Sequence, residues 1–216
     1  MKIRYPFFSL TKLFSLLTIL LSTLFIIFPS IDLAVANYFY IGEGKFIGTD
    51  TDWAHIVGKK LRPAIFFLCL SLTSLFFILL IARPSKYAHL KRRIFYFSFV
   101  LIITPGLLVN EILKRFIGRA RPYKIKEFGG EAEFSPAYIV SKECSHNCSF
   151  VSGDVSFAAC LLSLVFIVPA RFKAFVFSLI LFLILGSSYY RMAVGKHFLS
   201  DVVLAALFII VTCFAF

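Results

Sequence analysis

The chain has 216 residues, of which 60% are hydrophobic, and its formal net charge is +12 at pH 7. So large an apolar share exceeds what a soluble domain of this length can bury, which excludes an ordinary soluble protein. The positive charge lies mainly in the connections between apolar segments, as membrane topology requires, so no nucleic-acid partner is predicted.

Six apolar stretches are long enough to cross a bilayer as helices, since one crossing takes about 20 mostly apolar residues. Each is bounded by charged residues, proline or glycine,. They are residues 10–28, 64–82, 94–113, 151–169, 174–190 and 199–216. The sequence therefore predicts an all-α integral membrane protein, a six-helix bundle that forms a single domain over residues 1–216.

Lysine and arginine indicate the side of the membrane on which each connection lies. They are concentrated before the first span, at 83–93 and at 171–173, and the positive-inside rule places these segments in the cytoplasm. The other connections then lie outside. The outer connections comprise residues 29–63, 114–150 and 191–198.

The amino-terminal segment combines Lys2 and Arg4 with an apolar run and Ala34-Val35-Ala36, which is also a pattern of cleavable signal peptides,. The apolar run is long enough to span a bilayer, however, and the small residues lie well beyond its end. We therefore expect the first helix to be retained.

Two cysteines, Cys144 and Cys148, lie close together in the long outer connection. In an oxidising compartment they would form a disulfide, and two free thiols are the alternative. A zinc site that also uses His146 is a third interpretation, but it lacks an obvious fourth ligand. We predict no metal site and no cofactor.

Four cations are predicted to share the outer surface. Lys114, Arg119 and Arg121 begin one outer connection, and Arg191 begins the connection to the sixth span. Arginine forks match phosphate oxygens and lysine adds a compact charge, so the set suits a phosphate dianion. Attraction of anionic lipid headgroups is the alternative for any single one of them.

His197 and Asp201 are four residues apart where the sixth span begins, so they share one face of a helix. A carboxylate that accepts a proton from one imidazole nitrogen leaves the other nitrogen free to attack a substrate. Ser152, Gly153 and Asp154 open the fourth span, and the amino terminus of a helix receives phosphate readily. A local hydrogen bond and ordinary helix capping are the simpler interpretations.

Together these residues resemble the three-part signature of the type 2 phosphatidic acid phosphatase superfamily. In chain order they are Lys114, Arg121-Pro122, Ser152-Gly153, Arg191, His197 and Asp201. Their order and internal spacing match the superfamily, which contains soluble haloperoxidases and six-span membrane lipid phosphatases.

The resemblance implies a metal-independent, two-step hydrolysis through a phosphohistidine. His197 would attack phosphorus, and Asp201 would orient the imidazole. Charge stabilisation would be the largest catalytic contribution. The groups that would hold the phosphoryl oxygens are Lys114, Arg121, Arg191, Ser152 and Gly153.

The chain departs from the superfamily pattern at Asp154, where a histidine normally serves as general acid for the leaving alcohol. If burial at the membrane boundary keeps Asp154 protonated, it would be that acid. If the neighbouring cations prevail, it would be ionised and would position water or a basic side chain. We expect the acid role, because a sugar alkoxide leaves poorly without a proton.

Three further runs, at 105–110, 147–154 and 197–203, are similar to the bacterial lipid A 4′-phosphatases. The resemblance implies removal of a phosphate from lipid A at the periplasmic face of the bacterial inner membrane, with the lipid and the bilayer as partners. A phosphatase for lipid A 1-phosphate, phosphatidylglycerol phosphate or undecaprenyl diphosphate is one alternative. A member that binds or moves lipids without hydrolysing them is another.

Overall fold

The computed structural model describes residues 5–82 and 88–215, and this part of the chain is predominantly helical. Lys2, Arg4, Arg83 and Lys86, on which the predicted orientation partly depends, lie outside the described residues. The α-helices are α1 (Tyr5–Ile27), α2 (Ser30–Phe39), α3 (Asp52–Ile56), α4 (Arg62–Ala82), α5 (Ala88–Leu101), α6 (Lys114–Ile117), α7 (Gly153–Cys160), α8 (Lys173–Ala193) and α9 (Leu199–Ala215).

Two π-helical segments join short helices to long ones. Val57–Leu61 connects α3 to α4, and Ile102–Leu113 connects α5 to α6. Pro105 lies inside the second segment and cannot donate the backbone hydrogen bond that a regular helix needs there. The Asn110 side-chain amide donates to the Pro105 carbonyl over 2.6 Å, so this carbonyl has a partner although the helix is distorted,. The distortion thus holds Asn110 in place immediately before α6.

Within the described residues, four helices are long and apolar enough to cross a membrane: Ser9–Ile27, Asp52–Leu79, Lys91–Lys124 and Ala170–Ala193. They correspond to the predicted spans 10–28, 64–82, 94–113 and 174–190. The predicted spans 151–169 and 199–216 correspond to two shorter apolar helices, Gly153–Phe166 and Leu199–Ala215. Helix length therefore supports four of the six predicted crossings.

The two shorter helices pack in the protein core. α7 buries nearly every side chain along its length, including Val155 and Ala159, and it packs against both α8 and α9. A helix that is surrounded by other helices is apolar on all sides whether or not it crosses a bilayer. The sequence pattern alone cannot separate these two situations, so the crossings at 151–169 and 199–216 stay predictions.

A second, smaller core lies beside the loop that carries His197, and we call it the aromatic cap. It is built from α2, from the antiparallel hairpin of β1 (Tyr40–Gly42) and β2 (Lys45–Phe46), and from 3₁₀ turns at Pro122–Lys124 and Lys126–Phe128. Gly195 packs directly against Phe46: it has a φ of +63°, and a Cβ there would come within 2.6 Å of the ring. Only glycine fits this position, so the aromatic cap fixes the backbone just before His197.

Candidate active site

His197 lies in the tight loop between α8 and α9 and is almost completely buried. The backbone N–H groups of Lys196 and His197 donate to the Arg191 carbonyl over 2.9 and 3.2 Å. The imidazole Nδ1 lies 3.6 Å from Asp201 Oδ2, and Nε2 lies 3.3 Å from the Arg191 guanidinium. The sequence-predicted neighbours therefore meet, and Nε2 is the ring nitrogen that faces the cations.

The imidazole of His197 is held in its neutral form. Burial lowers its pKa to about 4, the carboxylate of Asp201 opposes this shift, and the positive charges of Arg191 and Arg121 reinforce it. Because the pKa lies below 6.5, the ring stays unprotonated from neutral pH down to about pH 4,. Nδ1 is buried without a hydrogen-bond partner, with Asp201 as the nearby carboxylate. In the tautomer that carries its proton on Nδ1, Nε2 accepts from Arg191, and its lone pair can attack once a substrate takes over that arginine.

Asp201 is fixed by hydrogen bonds from three directions. Its Oδ2 accepts from the Phe198 backbone N–H over 2.9 Å and from the Ser149 hydroxyl over 2.5 Å. Its Oδ1 accepts from the Arg119 guanidinium over 2.8 Å. These bonds leave the carboxylate little freedom to rotate, so the position of His197 Nδ1 is defined by a rigid partner.

The structure corrects the sequence prediction for Arg119, which was grouped with the cations that face phosphate. The side chain is fully buried and forms ion pairs with Asp32 and Asp201, each over 2.8 Å. It also donates to the Ser135 carbonyl and to the Ser200 hydroxyl. All three nitrogens of the guanidinium are therefore engaged, and Arg119 supports Asp201 instead of contacting a substrate.

The other predicted phosphate ligands come together around Nε2. Arg121 and Arg191 are buried, and their charges interact with each other and with that of Lys114. Among the described residues, three donor atoms of this group are buried without a hydrogen-bond partner: Arg121 Nε, Arg191 Nε and Ser152 Oγ. Buried polar groups are normally paired, so such orphaned donors indicate that an anion belongs here.

Lys114 approaches the amino terminus of α7 at Gly153. Its ammonium donates to the Asn110 side-chain oxygen over 2.9 Å. A Cβ on Gly153 would lie 3.0 Å from Lys114 Nζ and 3.2 Å from Asn110 Oδ1. The absence of a side chain at Gly153 therefore lets the lysine reach the helix end, where backbone N–H groups and the helix dipole also favour an anion.

Asp154 lies between two arginines. Its Oδ1 accepts from Arg62 Nε over 2.9 Å, and its Oδ2 lies 3.2 Å from Arg191 Nε. The second contact has the distance of an ion pair, but the N–H does not point at the oxygen, so both atoms lack a hydrogen bond. Sequence reasoning missed Arg62, because nothing in the local pattern at the start of α4 connects it to a residue so far along the chain.

An apolar cavity of about 480 Å³ opens beside Asp154. It lies between α4, α7 and α8, and its walls include Arg62, Phe66 and Phe157. A second apolar cavity of about 400 Å³ shares Phe66 and Phe157 with the first, and these two rings are in edge contact at 5.5 Å between centroids. The charged site thus opens onto an apolar space divided by one aromatic pair.

The long connection before α7 is closed by a disulfide between Cys144 and Cys148, whose Cα atoms lie 5.6 Å apart. Of the three interpretations of this pair, the structure has the disulfide, so neither sulfur is free to bind zinc. Within residues 5–82 and 88–215, no group of three or more His, Cys, Asp or Glu residues is placed to hold a metal ion.

Comparison with known proteins yields one family and several relatives. Residues 93–216 match the PAP2 superfamily. A protein named lipid A 4′-phosphatase from Francisella tularensis subsp. novicida (strain U112) is 32% identical over 193 residues, which cover 87% of this chain and 85% of that protein. A protein of the same name from Rhizobium leguminosarum is 39% identical over 104 residues, which cover 48% of this chain and 45% of that protein. No solved structure matches the chain.

The family match spans more than half of the chain and contains every member of the cluster around Nε2 apart from Arg62. The first relative extends the similarity over most of the remaining sequence. Both findings confirm the resemblance that the motifs indicated, and the chain belongs to the PAP2 superfamily.

Proposed function

We propose that the chain is a lipid A 4′-phosphatase, a metal-independent hydrolase that acts through a phosphohistidine. Its single domain over residues 1–216 forms a six-helix bundle in the bacterial inner membrane, with the active site at the periplasmic face. Removal of the phosphate lowers the negative charge of the lipid, which weakens its attraction for cationic peptides.

The observation that carries this proposal is the set of orphaned donors around a neutral imidazole. Arg121 Nε, Arg191 Nε and Ser152 Oγ are buried without hydrogen-bond partners, and leaving buried donors unsatisfied is costly. A phosphoryl group supplies three oxygens that accept from all of them. The same cations then stabilise the charge of the transition state, where preorganised donors have their largest effect.

In the first step, His197 Nε2 attacks phosphorus and the bond to the leaving oxygen breaks. The N–P bond forms while Asp201 accepts a hydrogen bond from Nδ1–H and stabilises the positive charge of the ring. Arg121 and Arg191 hold the phosphoryl oxygens, and Lys114 adds its charge at the amino terminus of α7. The released alkoxide takes a proton from water and becomes the sugar alcohol.

In the second step, water attacks the phosphohistidine. The N–P bond breaks, inorganic phosphate leaves, and the neutral imidazole is restored for another turnover. The same cations hold the phosphoryl group in both steps, so one set of donors serves two transition states. Asp201 keeps Nε2 directed at phosphorus throughout, because its own position is fixed by Ser149, Phe198 and Arg119.

Asp154 takes the ionised one of its two predicted roles in this scheme. Its carboxylate lies near two guanidinium groups, which favour the ionised form,. This environment supports the role of orienting Arg191 and not the role of proton donor. Arg191 in turn places its other guanidinium nitrogen next to His197 Nε2. The general-acid role, which the sequence favoured, is the alternative that a substitution can test.

The lipid part of the substrate is supported by the apolar cavities beside Asp154. Together they offer a path for acyl chains from the charged site towards the membrane-facing surface of α4 and α5. The relatives named lipid A 4′-phosphatase support lipid A over other lipid phosphates. A periplasmic site is supported by the disulfide, since such bonds persist in oxidising compartments,.

Phosphate release from lipid A by the detergent-solubilised protein tests this function. We expect the wild-type protein to release phosphate at a rate that a metal chelator leaves unchanged. His197→Ala should remain folded, as judged by its thermal unfolding, and should release none. A strict requirement for a divalent cation would overturn the phosphohistidine mechanism.

Mass spectrometry of lipid A from cells with and without the gene identifies the phosphate that is removed. Loss of the 4′-phosphate only in cells that carry the gene is the expected result. Loss of the 1-phosphate, or activity confined to phosphatidylglycerol phosphate or undecaprenyl diphosphate, would replace the proposed substrate. Binding of lipid phosphates without any release of phosphate would identify a non-hydrolytic member.

A further inference from the structure

A polar cavity of about 600 Å³ lies beside the catalytic loop, and the proposed reaction at His197 does not use it. Its walls come from residues between 44 and 55, from Tyr123 and Tyr190, and from Val194 and Lys196. We propose that this cavity binds the saccharide of a phosphorylated glycolipid while the phosphate lies at His197. This inference rests on the proposed function and names the headgroup that selects the substrate.

Backbone hydrogen bonds fix the cavity against the catalytic loop. The Gly48 N–H donates to the Ala193 carbonyl over 2.8 Å, and the Tyr123 N–H donates to the Gly195 carbonyl over 3.1 Å. Tyr190 lines both this cavity and the apolar cavity that contains Asp154. A ligand held by the next residue, Arg191, therefore meets a polar space and an apolar space at the same point, as a lipid with a sugar headgroup requires.

The side chains of this cavity suit hydroxyl groups. Asp50, Asp52 and His55 are exposed to the cavity and, within the part of the chain that the structure describes, their side chains have no hydrogen bond or ion pair. Carboxylates accept from hydroxyls, and a neutral imidazole both accepts and donates. Tyr190 adds aromatic surface against which a sugar ring packs,. A hydroxyl-rich ring would use these groups, whereas an acyl chain would leave them unsatisfied.

Charge decides which part of a lipid fits here. Asp50 and Asp52 repel a second phosphate, so the cavity favours the uncharged ring. Lys196 lies over Tyr123, with Nζ 4.2 Å from the ring centroid. Burial and the charges of Arg121 and Arg191 lower its pKa, which matches a lysine that donates to neutral oxygens. A diacylglycerol phosphate has no ring to fill this volume, so the cavity discriminates against it.

The test measures ligand binding without turnover, in the full-length His197→Ala protein. The chain has one tryptophan: Trp53 stands between two residues of the cavity wall, and its ring lies 6.3 Å from that of Tyr190. Its fluorescence therefore reports on the cavity. The two ligands are lipid A that carries only the 4′-phosphate and phosphatidic acid. Each presents one phosphate and acyl chains, and only the lipid A carries a saccharide.

We expect the double variant Asp50→Asn, Asp52→Asn to raise the Kd for lipid A on the order of tenfold or more, because hydrogen bonds to charged groups are lost. The Kd for phosphatidic acid should change by less than about twofold, since that lipid does not use the cavity. Glu43→Gln is the matched control: it removes one charge from the same outer segment at an exposed residue that does not line the cavity.

The inference would be overturned if lipid A caused no change in Trp53 fluorescence. It would also be overturned if the double variant shifted the Kd equally for both ligands. Equal unfolding temperatures of the double variant and the control ensure that a binding loss is not a folding loss. Because the readout needs no hydrolysis, the outcome is separate from that of the proposed function. If the wild-type protein binds lipid A through this cavity but releases no phosphate, the saccharide site is supported and the proposed hydrolase activity is wrong.

Discussion

Asp154 occupies a position where two guanidinium groups compete for one carboxylate. Arg62 Nε lies 2.9 Å from Oδ1 and Arg191 Nε lies 3.2 Å from Oδ2. Arg62 is half exposed, whereas Arg191 is nearly buried, so the contact with Arg191 is less screened by water. The carboxylate therefore acts mainly on the arginine that also touches His197.

Asp154→Asn separates the two roles of this residue. If the carboxylate orients Arg191, phosphate release should fall about 10- to 100-fold, because the substitution removes the charge that holds Arg191 by an ion pair and accepts a hydrogen bond from Arg62,. The loss should be similar for lipid A and for p-nitrophenyl phosphate, because both present the same phosphoryl group. Steady-state rates on the two substrates measure this.

A different pattern would identify a general acid at the same residue. p-Nitrophenol leaves readily without a proton. If Asp154 is the general acid, Asp154→Asn should therefore hydrolyse p-nitrophenyl phosphate at nearly the wild-type rate while it stays slow on lipid A. Recovery of this kind would contradict the orienting role. An unchanged rate on both substrates would leave Asp154 as an acidic residue in the first turn of α7, where its interaction with the helix dipole contributes about 0.3–1 kcal/mol of stability.

At the scale of elements, one buried ionic network joins three segments that are distant in the chain. Asp32 of α2 accepts from Arg119 and also from the backbone N–H and the hydroxyl of Ser200. Arg119 in turn binds Asp201 of α9, and the Phe198 ring covers the guanidinium at 4.2 Å. Removal of one member would leave uncompensated buried charge, which typically costs about 3–5 kcal/mol.

Arg119→Lys tests whether this network positions the nucleophile. Lysine keeps the positive charge but cannot reach Asp32, Asp201 and Ser135 at once, since it lacks a planar fork. We expect kcat to fall about 100-fold through misplacement of His197, with KM nearly unchanged because no phosphate ligand is altered. Kinetics on p-nitrophenyl phosphate give both constants.

Arg115→Lys is the matched control for Arg119→Lys. Arg115 is an exposed arginine in α6 that pairs with Glu111 over 3.4 Å, and such pairs contribute little. Arg115→Lys should therefore leave kcat and KM unchanged. A parallel rise in KM for Arg119→Lys, or a loss of activity that follows only the loss of folded protein, would contradict a positioning role.

The sequence predicted some elements well and others only in part, for physical reasons. α1, α4 and α8 combine length with apolar composition, which lipid exposure demands, so their spans were recognisable. α7 and α9 lie in the core, where a helix is apolar whether or not it crosses the bilayer, and periodicity carries no information about what surrounds a helix. The π-helical stretch around Pro105 was likewise outside what a helical pattern can indicate.

At the scale of the whole molecule, the predictable part of the site is the part encoded locally. His197 and Asp201 are one helical turn apart, so their contact followed from spacing. Asp32 and Arg62 act on the site from distant helices, and a single sequence contains no sign of such pairings. Arg119 was recognised as a cation but given the wrong partner, because its charge is visible in the sequence and its burial is not.

The orientation of the molecule in the membrane can be tested with reporters. A fluorescent protein fused after Lys91 should fluoresce, because that fusion point is predicted to be cytoplasmic. Alkaline phosphatase inserted near Glu131 should be active, because it would fold in the periplasm, where disulfides form. Thiol labelling of cells before and after reduction gives an independent reading from Cys144 and Cys148.

Reversed reporters would place the site on the cytoplasmic side and would exclude a substrate that is presented in the periplasm. Reagents that label both cysteines without prior reduction would disagree with the oxidised pair. The expected combination is a fluorescent fusion at Lys91, an active insertion near Glu131, and cysteines that react only after reduction.

The ion pair between Asp32 and Arg119 also limits how the chain can be divided. The family match begins at residue 93, which suggests a catalytic fragment that begins there. Such a fragment would leave Arg119 without one of its two carboxylates and would expose the underside of the aromatic cap. Removing a partner from a buried charge costs about 3–5 kcal/mol, which is large compared with a total folding stability of about 5–15 kcal/mol. The segment that contains every recognised motif is therefore not a self-sufficient module, and a chimera with foreign amino-terminal helices would need an acid grafted opposite Arg119.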